Sequence, residues 1–525
     1  TVGFLLVGVG LLGLGAGLAL ACLMHSGPES SRLYGLQRLV DVYPSITKPE
    51  GHVRFNQKLW TTTLVLIIYF MMTNVMIWGL SESTLDVFSS FRAIMAGASG
   101  SIMHLGIGPI VTGSIIMQLF AGAKIIQLDL QDTADKQLYQ GVQKILVLLM
   151  IPIESIPQVY GFLDPHGDII TQYGVGWANA IIVAQLFIGS YLVFLLDELV
   201  SKWGIGSGIS LFIAAGVAQS TFVGTLSPLA TVQGTPYSLQ NPPSGTLPMI
   251  FYTLRTATNS ELVSQNGFEL ILLNHANPVA ALISSIIVFL VVAYAESSKL
   301  ELPLTHGKVR GHRGQYPIRL VYASNIPVIL MAALLANVNM FTLLFWQSPT
   351  LRTMPILGRD GMWSIAPWLG SYEMGATTPT GGFAWYSSMV NGVNDWLIPM
   401  LEQNPGGGDV YGHSLWQMGG HVVFYVTIMT VGSMVFAKFW IDTTNMGSKD
   451  VAKQIERTGM QIPGFRKNPV VLERILERYI PPVTYFSGAF VGLLAAGADL
   501  LGTVGNASGT GLLLAVGIIL RTYEQ

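Results

Sequence analysis

Few side chains in this sequence are placed where they could do chemistry. Within its long apolar runs, Glu154 is the one acidic residue that lies deep in a predicted span. Burying a charged carboxylate in a bilayer costs about 3 kcal/mol unless it is paired, so such a residue indicates either a functional site or a hydrogen bond between helices. The sequence leaves both interpretations open.

Enzyme motifs are absent from the chain: it has no HExxH, no Walker loop and no GxSxG between a strand and a helix. An intramembrane enzyme would need a Ser/His pair, paired Asp or a metal-ligand set, and His421 stands near a span start without such partners. The single cysteine, Cys22, excludes an intramolecular disulfide and thiolate-based metal sites. Gly8, Gly10 and Gly13 match GxGxxG, but no strand precedes them, and in an apolar run such glycines favour close helix packing. We predict a protein that is not an enzyme and that holds no metal or cofactor.

The composition indicates a membrane protein. Of the 525 residues, 51% are hydrophobic and 11% are charged, whereas soluble globular proteins carry about 25% charged residues. So few charges cannot cover a water-exposed surface of this size. The net charge of −2 implies no strongly charged partner for the chain as a whole.

Eleven apolar runs have lengths that suit membrane-spanning helices, which need roughly 20 apolar residues. Spans must be helices or closed barrels, and these runs are too long and too continuously apolar for barrel strands. The sequence therefore predicts an all-α, polytopic membrane protein. The predicted spans are residues 2–24, 59–80, 106–122, 141–162, 175–196, 208–224, 278–295, 321–345, 416–437, 483–501 and 510–520.

Lysine and arginine predict the orientation, because basic residues concentrate in cytoplasmic loops. They are dense in residues 26–58, 296–320 and 438–480, which we therefore place in the cytoplasm together with the C-terminus. The alternate loops, around Asp164, Asp168 and Asp499, are poor in basic residues and should be external.

Two segments suggest elements that do not span. Residues 31–43 place Leu33, Leu36, Val40 and Tyr43 on one helical face, which suits either a helix lying in the interface or a solvated linker. Residues 89–100 are too short and too rich in small residues to span, yet they run directly into the next apolar run. We expect residues 89–100 to form a short helix folded back into the protein on the external side. Because such backbone is tolerated at membrane depth where it lines a cavity, we also expect a cavity there.

Four ordered motifs, spread from about residue 32 to the C-terminus, resemble the SecY family of protein-conducting channels. The compact loop THGKVRG at 305–311 is most similar to archaeal members. Residues 2–24 depart from the family, which has ten spans. The motifs are LGIGPIVT (105–112) with IMQL (116–119), LDEL (196–199) with GIGSGIS (204–210), YPIR (316–319) with SNIPVI (324–329), and GFR (464–466) with RYIPP (478–482).

This resemblance implies a ten-helix SecY fold of two inverted five-helix halves, here with one extra N-terminal hydrophobic helix at residues 1–25. Residues 26–58 would form a cytoplasmic or interfacial segment, and residues 59–225 the first half, with a plug at 89–100. Residues 226–277 would be an external loop and hinge, and residues 278–525 the second half. The implied activity is translocation of secretory proteins across the cell membrane and insertion of membrane proteins into it.

The resemblance also assigns residues to the parts of such a channel. A lateral gate between the spans at 106–122 and 321–345 would contain a polar cluster of Thr112, Glu154 and Asn337. The plug would include Ser89, Ser90, Phe91, Arg92, Ala93, Ile94, Met95, Ala96 and Gly97. The apolar pore ring would be Ile107, Val111, Ile209, Ile213, Ile329 and Leu514.

Partners are likewise implied by resemblance. Lys308, Arg310, Arg313, Arg466 and Lys467 would dock the ribosome through ribosomal RNA phosphates, or would simply be topogenic charges. A SecE-type subunit and a Sec-beta or SecG-type subunit are expected, as are signal-sequence-bearing nascent chains and the lipid bilayer. The rival hypothesis is an inverted-repeat secondary transporter, which predicts ionisable groups converging at the midplane. The scarcity of intramembrane charge argues against it.

Overall fold

A computed structural model provides the architecture of most of the chain. The predicted extra span at residues 2–24 lies outside the residues that the structure describes. The described residues are 36–42, 46–51, 53–81, 94–122, 125–126, 128, 132–161, 163–231, 235–238, 241–257, 271–273, 275–306, 313–319, 325–348, 353, 359–360, 364–373, 376–401, 413–444, 446–457, 460–461 and 469–524.

Helices occur at all ten of the other predicted spans. Among the described residues, seven helices are long and apolar enough to cross a membrane, and two shorter apolar helices accompany them. The tenth is a 20-residue helix at the predicted span 59–80. The ten helices are α2 (Phe55–Asn74), α3 (Gly108–Gly122), α4 (Thr133–Gly161), α6 (Val175–Trp203), α7 (Gly208–Leu226), α9 (Val279–Ser297), α10 (Ile326–Gln347), α14 (Leu415–Thr443), α16 (Pro469–Leu501) and α17 (Gly509–Glu524).

Several of these helices extend beyond the predicted spans. Helix α4 begins eight residues before the predicted start and continues through Pro152 and Pro157, and α16 contains Pro481 and Pro482. Proline is tolerated in membrane helices because neighbouring groups satisfy the freed backbone. Asp499, predicted in an external loop, instead lies in the last turn of α16 and is buried.

Short helices pack against the ends of this bundle. They are α1 (Gln37–Val42), α5 (Gly167–Tyr173), α8 (Thr246–Thr256), α11 (Ala366–Leu369), α12 (Gly382–Ser387), α13 (Val393–Leu401) and α15 (Ser448–Arg457). Helix α1 coincides with the amphipathic segment predicted at 31–43. Its Val40 lies against Gly141 of α4, and Leu36 packs on the same apolar cluster, so this face of α1 is covered by protein.

A small sheet joins the two most basic segments, which the sequence analysis treated as loops. Strands β1 (Lys299–His306) and β2 (Arg313–Arg319) form an antiparallel hairpin. Strand β5 (Met460–Gln461), from the segment between α14 and α16, pairs antiparallel with β1. The sheet order is therefore β2-β1-β5. Two further short strands, β3 (Ser371–Tyr372) and β4 (Pro379–Gly381), pair in the long segment between α10 and α14.

The two predicted halves meet where α7 and the turn between α16 and α17 make close backbone contact. A Cβ at Gly224 would lie 2.4 Å from the Cα of Gly505, and Gly505 has a φ of +79°. A side chain at either position would force these backbones apart. On the other side of the same turn, the hydroxyl of Ser285 on α9 accepts a hydrogen bond from the N–H of Val504 at 3.1 Å.

Candidate functional site

The six residues predicted for the pore ring come from four separate stretches of the chain. Ile107 lies in the turn before α3, Val111 on α3, and Ile209 and Ile213 on α7. Five of the six are buried in one large apolar cluster, and Ile209, which is partly buried, packs against it. The remaining two ring residues are Ile329 on α10 and Leu514 on α17.

A cavity of about 410 Å³ connects three of these ring residues, which are Val111, Ile209 and Ile329. The rest of its lining is largely polar and includes Ser114, Gln118, Lys136, Gln140, Gln143, Ser210 and Thr443. Lys136 lies in the first turn of α4 and Thr443 ends α14, so the cavity occupies the end of the bundle that carries segment 438–480. A cavity that borders both polar groups and aliphatic ring residues suits a pore that must hold water and then exclude it.

The described part of the predicted plug is bonded directly to this ring. Ile94, Met95 and Ala96 are each at most 3% exposed. The backbone N–H of Ile107 donates a hydrogen bond to the carbonyl oxygen of Met95 at 2.8 Å. At Gly106, with a φ of +55°, a Cβ would lie 2.1 Å from that same oxygen, so only glycine allows this approach.

Tyr69, on α2, also contacts the plug. Its hydroxyl donates a hydrogen bond to the carbonyl oxygen of Ala96 at 3.1 Å, and its ring stacks on Phe212 of α7 at 5.0 Å between centroids. Sequence reasoning missed Tyr69, because a tyrosine in an apolar run does not reveal which way its hydroxyl points. Residues 94–100 form turns rather than the expected short helix, and Ser89, Ser90, Phe91, Arg92 and Ala93 lie outside the described residues.

The predicted polar gate residues come together across three helices. The side-chain amide of Asn337 on α10 donates a hydrogen bond to the hydroxyl oxygen of Thr112 on α3 at 3.0 Å. The Thr112 hydroxyl in turn donates to the carbonyl oxygen of Gly108. Glu154 on α4 is 2% exposed, and its Oε2 lies 3.0 Å from where a Cβ at Gly108 would be. These groups therefore form one contiguous polar patch between α3, α4 and α10.

Gln158, which was not among the residues predicted for the gate, extends this patch by one helical turn. Its side-chain amide lies 3.5 Å from the sulfur of Met340 on α10. The Oε1 atoms of Gln158 and Glu154 are both buried and have no hydrogen-bond partner among the described residues. The available signal was its spacing, because Gln158 follows Glu154 by four residues and so shares its helix face.

Most residues predicted for ribosome docking lie outside the described part of the chain: Lys308, Arg310, Arg466 and Lys467. Arg313 is the first residue of β2, where it pairs with Thr305 of β1. Because β5 pairs with Thr305 and His306 of β1, segments 296–320 and 438–480 contribute strands to one sheet.

Comparison with known proteins gives the family. A family model described as SecY matches residues 101–523, and one described as the plug domain of Sec61p matches residues 67–100. The chain belongs to the SecY family. The protein translocase subunit SecY of Archaeoglobus fulgidus is 41% identical, over 94% of this chain and 95% of that protein.

Solved structures agree with the SecY family assignment. One described as the structure of a protein conducting channel is 35% identical, with a TM-score of 0.70 over 93% of this chain and 96% of that chain. Sec61 in the canine ribosome–channel complex from the endoplasmic reticulum is also 35% identical, with a TM-score of 0.67 over the same shares. These similarities confirm the expected family, the all-α polytopic fold and the protein-conducting channel function.

The individual SecY-family residues predicted for this chain remain predictions. The plug model covers residues 67–100, which includes the predicted plug and the last eight residues of α2. The assignments to ring, plug, gate and docking surface rest on the motifs and on the geometry above.

Proposed function

We propose that this SecY-family chain forms a channel whose closed state is sealed by an apolar neck with a plug seated on it. The neck is the ring defined above, and the plug is residues 89–100. The observation that carries the proposal is the hydrogen bond from Ile107 to Met95, because it ties the two parts together through their backbones. A narrow neck of aliphatic side chains disfavours water and so excludes ions.

The plug must leave the neck for a polypeptide to pass. A bifunctional maleimide joining Met95→Cys to Ile107→Cys, in a Cys22→Ser background, would hold the two together. We expect crosslinked channels in vesicles to stop translocating a secretory precursor, while each single-cysteine variant treated alike remains active. Full translocation by crosslinked channels would contradict the proposal.

The lateral gate of this proposal lies between α3 and α10, and the polar patch of Thr112, Glu154 and Asn337 closes it. Hydrogen bonds between membrane helices contribute about 0.6 kcal/mol on average. Hydrogen bonds of that strength stabilise the closed gate, but they are weak enough to break when an apolar signal sequence competes for the surfaces of α3 and α10. Lipid would meet the signal through this opening.

The two halves, residues 59–225 and 278–525, would move about a hinge that includes residues 226–277. Support comes from the close contact of Gly224 with Gly505. Gly224 lies just before the hinge segment, and Gly505 hydrogen-bonds to Asn277 at the other end of that segment. The side chain of Asn277 reinforces this region, accepting a hydrogen bond from the N–H of Gly505 at 2.7 Å.

The proposed orientation places segments 26–58, 296–320 and 438–480 and the C-terminus in the cytoplasm of a cell whose plasma membrane holds the channel. Basic loops favour that side. In this orientation the 410 Å³ cavity faces the cytoplasm and receives the nascent chain.

A ribosome would dock on the sheet β2-β1-β5 and the tips beside it, through Lys308, Arg310, Arg313, Arg466 and Lys467. The similarity to a Sec61 found in a ribosome–channel complex supports this partner. Basic side chains that meet ribosomal RNA phosphates would make the binding salt-sensitive. SecE-type and Sec-beta or SecG-type subunits would complete the complex. The chain itself would catalyse no reaction, and a partner would supply the energy.

A further inference from the structure

The first turn of α7 is held by a side chain from another helix. Helix α7 begins at Gly208 and carries two neck residues, Ile209 and Ile213. Ser207, at its N-cap, makes no side-chain hydrogen bond to the helix. Instead, Oδ1 of Asp197, on α6, accepts a hydrogen bond from the backbone N–H of Ile209 at 2.8 Å. A free N–H at a helix start needs such an acceptor when water is absent.

Close packing fixes the same contact. A Cβ at Gly208 would lie 2.5 Å from the Cα of Asp197 and 2.7 Å from its Oδ1. The backbone of Gly208 and the side chain of Ser201 also lie near the Asp197 carboxylate. The start of α7 therefore has one position against α6, set by backbone contact as well as by the carboxylate.

Glu198, the next residue of α6, binds different partners. Its carboxylate pairs with Lys202 at 2.7 Å and with Lys144 of α4, and it accepts a hydrogen bond from the N–H of Ile46 at 3.3 Å. It thus anchors the N-terminal segment and touches none of the neck residues. Two adjacent carboxylates of one helix therefore hold two different parts of the protein.

We propose that Asp197 is a positioning residue of the neck: its carboxylate holds the backbone of Ile209 and thereby sets where Ile209 and Ile213 meet the other ring residues. This inference rests on the proposed neck. A seal of aliphatic side chains depends on their mutual fit, since a small gap admits water. Losing the acceptor would leave the Ile209 N–H unpaired and free the first turn of α7 to shift.

Ion conductance of the closed channel in planar bilayers tests the proposal, with abundance and elution profile checked for each variant. We expect Asp197→Ala to lose the seal and conduct above the wild-type background. Asp197→Asn keeps an oxygen that can accept the Ile209 N–H, so it should stay sealed. The matched control Glu198→Ala should also stay sealed, and Ile209→Gly should leak.

The outcomes separate the inference from the proposed neck. A sealed Asp197→Ala beside a leaking Ile209→Gly would overturn the inference alone, and two sealed variants would overturn the neck as well. The inference would also be overturned if Asp197→Asn leaked as much as Asp197→Ala, because the cause would then be the lost charge. The same holds if Glu198→Ala leaked as much as Asp197→Ala, because the cause would then be a loosened α6.

Amide hydrogen exchange gives a second readout. The peptide containing Ile209 should exchange faster in Asp197→Ala than in wild type or Glu198→Ala, and an unchanged rate would contradict the proposal. Should Asp197→Ala not accumulate, Asp197→Glu, which displaces the oxygens by one methylene, carries the same two expectations.

Discussion

The backbone N–H of Ile107 and the carbonyl oxygen of Met95 form a 2.8 Å hydrogen bond. Ile107 belongs to the proposed neck and Met95 to the proposed plug, so the two parts of the seal share a bond between backbone atoms, which truncating either side chain leaves in place. Substitutions can therefore weaken the seal either at the neck side chains or at the Tyr69 hydrogen bond to the plug, and the two kinds of substitution should affect ion conductance differently.

Ile107→Gly, alone or with Ile213→Gly, should make the resting channel conduct ions, because it removes the aliphatic side chain that narrows the neck. Single-channel recording in planar bilayers measures this. Ile182→Gly is the matched control, since Ile182 is an equally buried isoleucine in a different apolar cluster. Background conductance from both Ile107 variants would show that the ring assignment is wrong.

Tyr69→Phe should loosen the plug without widening the neck. It deletes the hydrogen bond to the Ala96 carbonyl, which contributes about 1 kcal/mol, or about a fivefold change in the opening equilibrium. The frequency of spontaneous openings should rise by about that factor while the conductance of each opening stays unchanged. Tyr191→Phe, which deletes a hydroxyl from a half-buried tyrosine of α6, should have no effect. If both variants open equally often, the Tyr69 hydroxyl does not hold the plug.

Thr112→Val should lower the hydrophobicity that a signal sequence needs, because the closed gate loses a hydrogen bond while the side-chain shape is nearly kept. The effect should be about 0.6 kcal/mol, or about threefold in gate opening. Asn337→Leu removes the other partner of the same bond, so the double variant should not add the two single effects. A panel of signals of graded hydrophobicity measures the threshold, and fully additive effects would mean that these residues serve packing alone.

Cysteine labelling in intact cells should distinguish the two sides of the membrane. In a Cys22→Ser background, an impermeant maleimide should label a cysteine at Asp164 and leave one at Arg310 unlabelled. The basis is the alternation of basic loops. Labelling at 310 without labelling at 164 would invert the proposed topology.

Arg466→Glu should leave abundance and conductance unchanged but strongly reduce ribosome-coupled translocation into vesicles. Arg466→Lys should be partly tolerated, since lysine cannot reproduce a bidentate contact to phosphate. If Arg466 is only a topogenic charge, neither change should matter, because many other basic residues set the topology. Wild-type rates in Arg466→Glu vesicles would rule out a docking role.

Helix positions could be predicted from the sequence because a bilayer demands long apolar runs, and ten of the predicted runs are helices. The ends of the helices could not be predicted in this way. Helix α6, for example, continues past its apolar run through Asp197 and Glu198 to Trp203. The charges there are satisfied by α4, α7 and the N-terminal segment, which a hydropathy pattern does not reveal.

Strand β1 was missed although a signal existed. Leu300, Leu302 and Leu304 alternate with polar residues and proline, as in a half-exposed strand. The two-residue β5 carries no such signal, because its pairing with β1 depends on how α14 and α16 are placed. The gate residues were assigned by family resemblance and stay a prediction, whereas the bond between Asn337 and Thr112 becomes visible only when α3 and α10 are packed.

The three-stranded sheet gives the channel a mechanical linkage. Strand β1 continues directly from α9, β2 leads within seven residues to α10, and β5 ties the segment between α14 and α16 to the same ladder. A force applied to this sheet would be shared by its three hydrogen-bonded strands. In the proposed channel, a partner bound to this sheet would act on chain segments that lead to α9, to α10, which carries Asn337, and to α14 and α16.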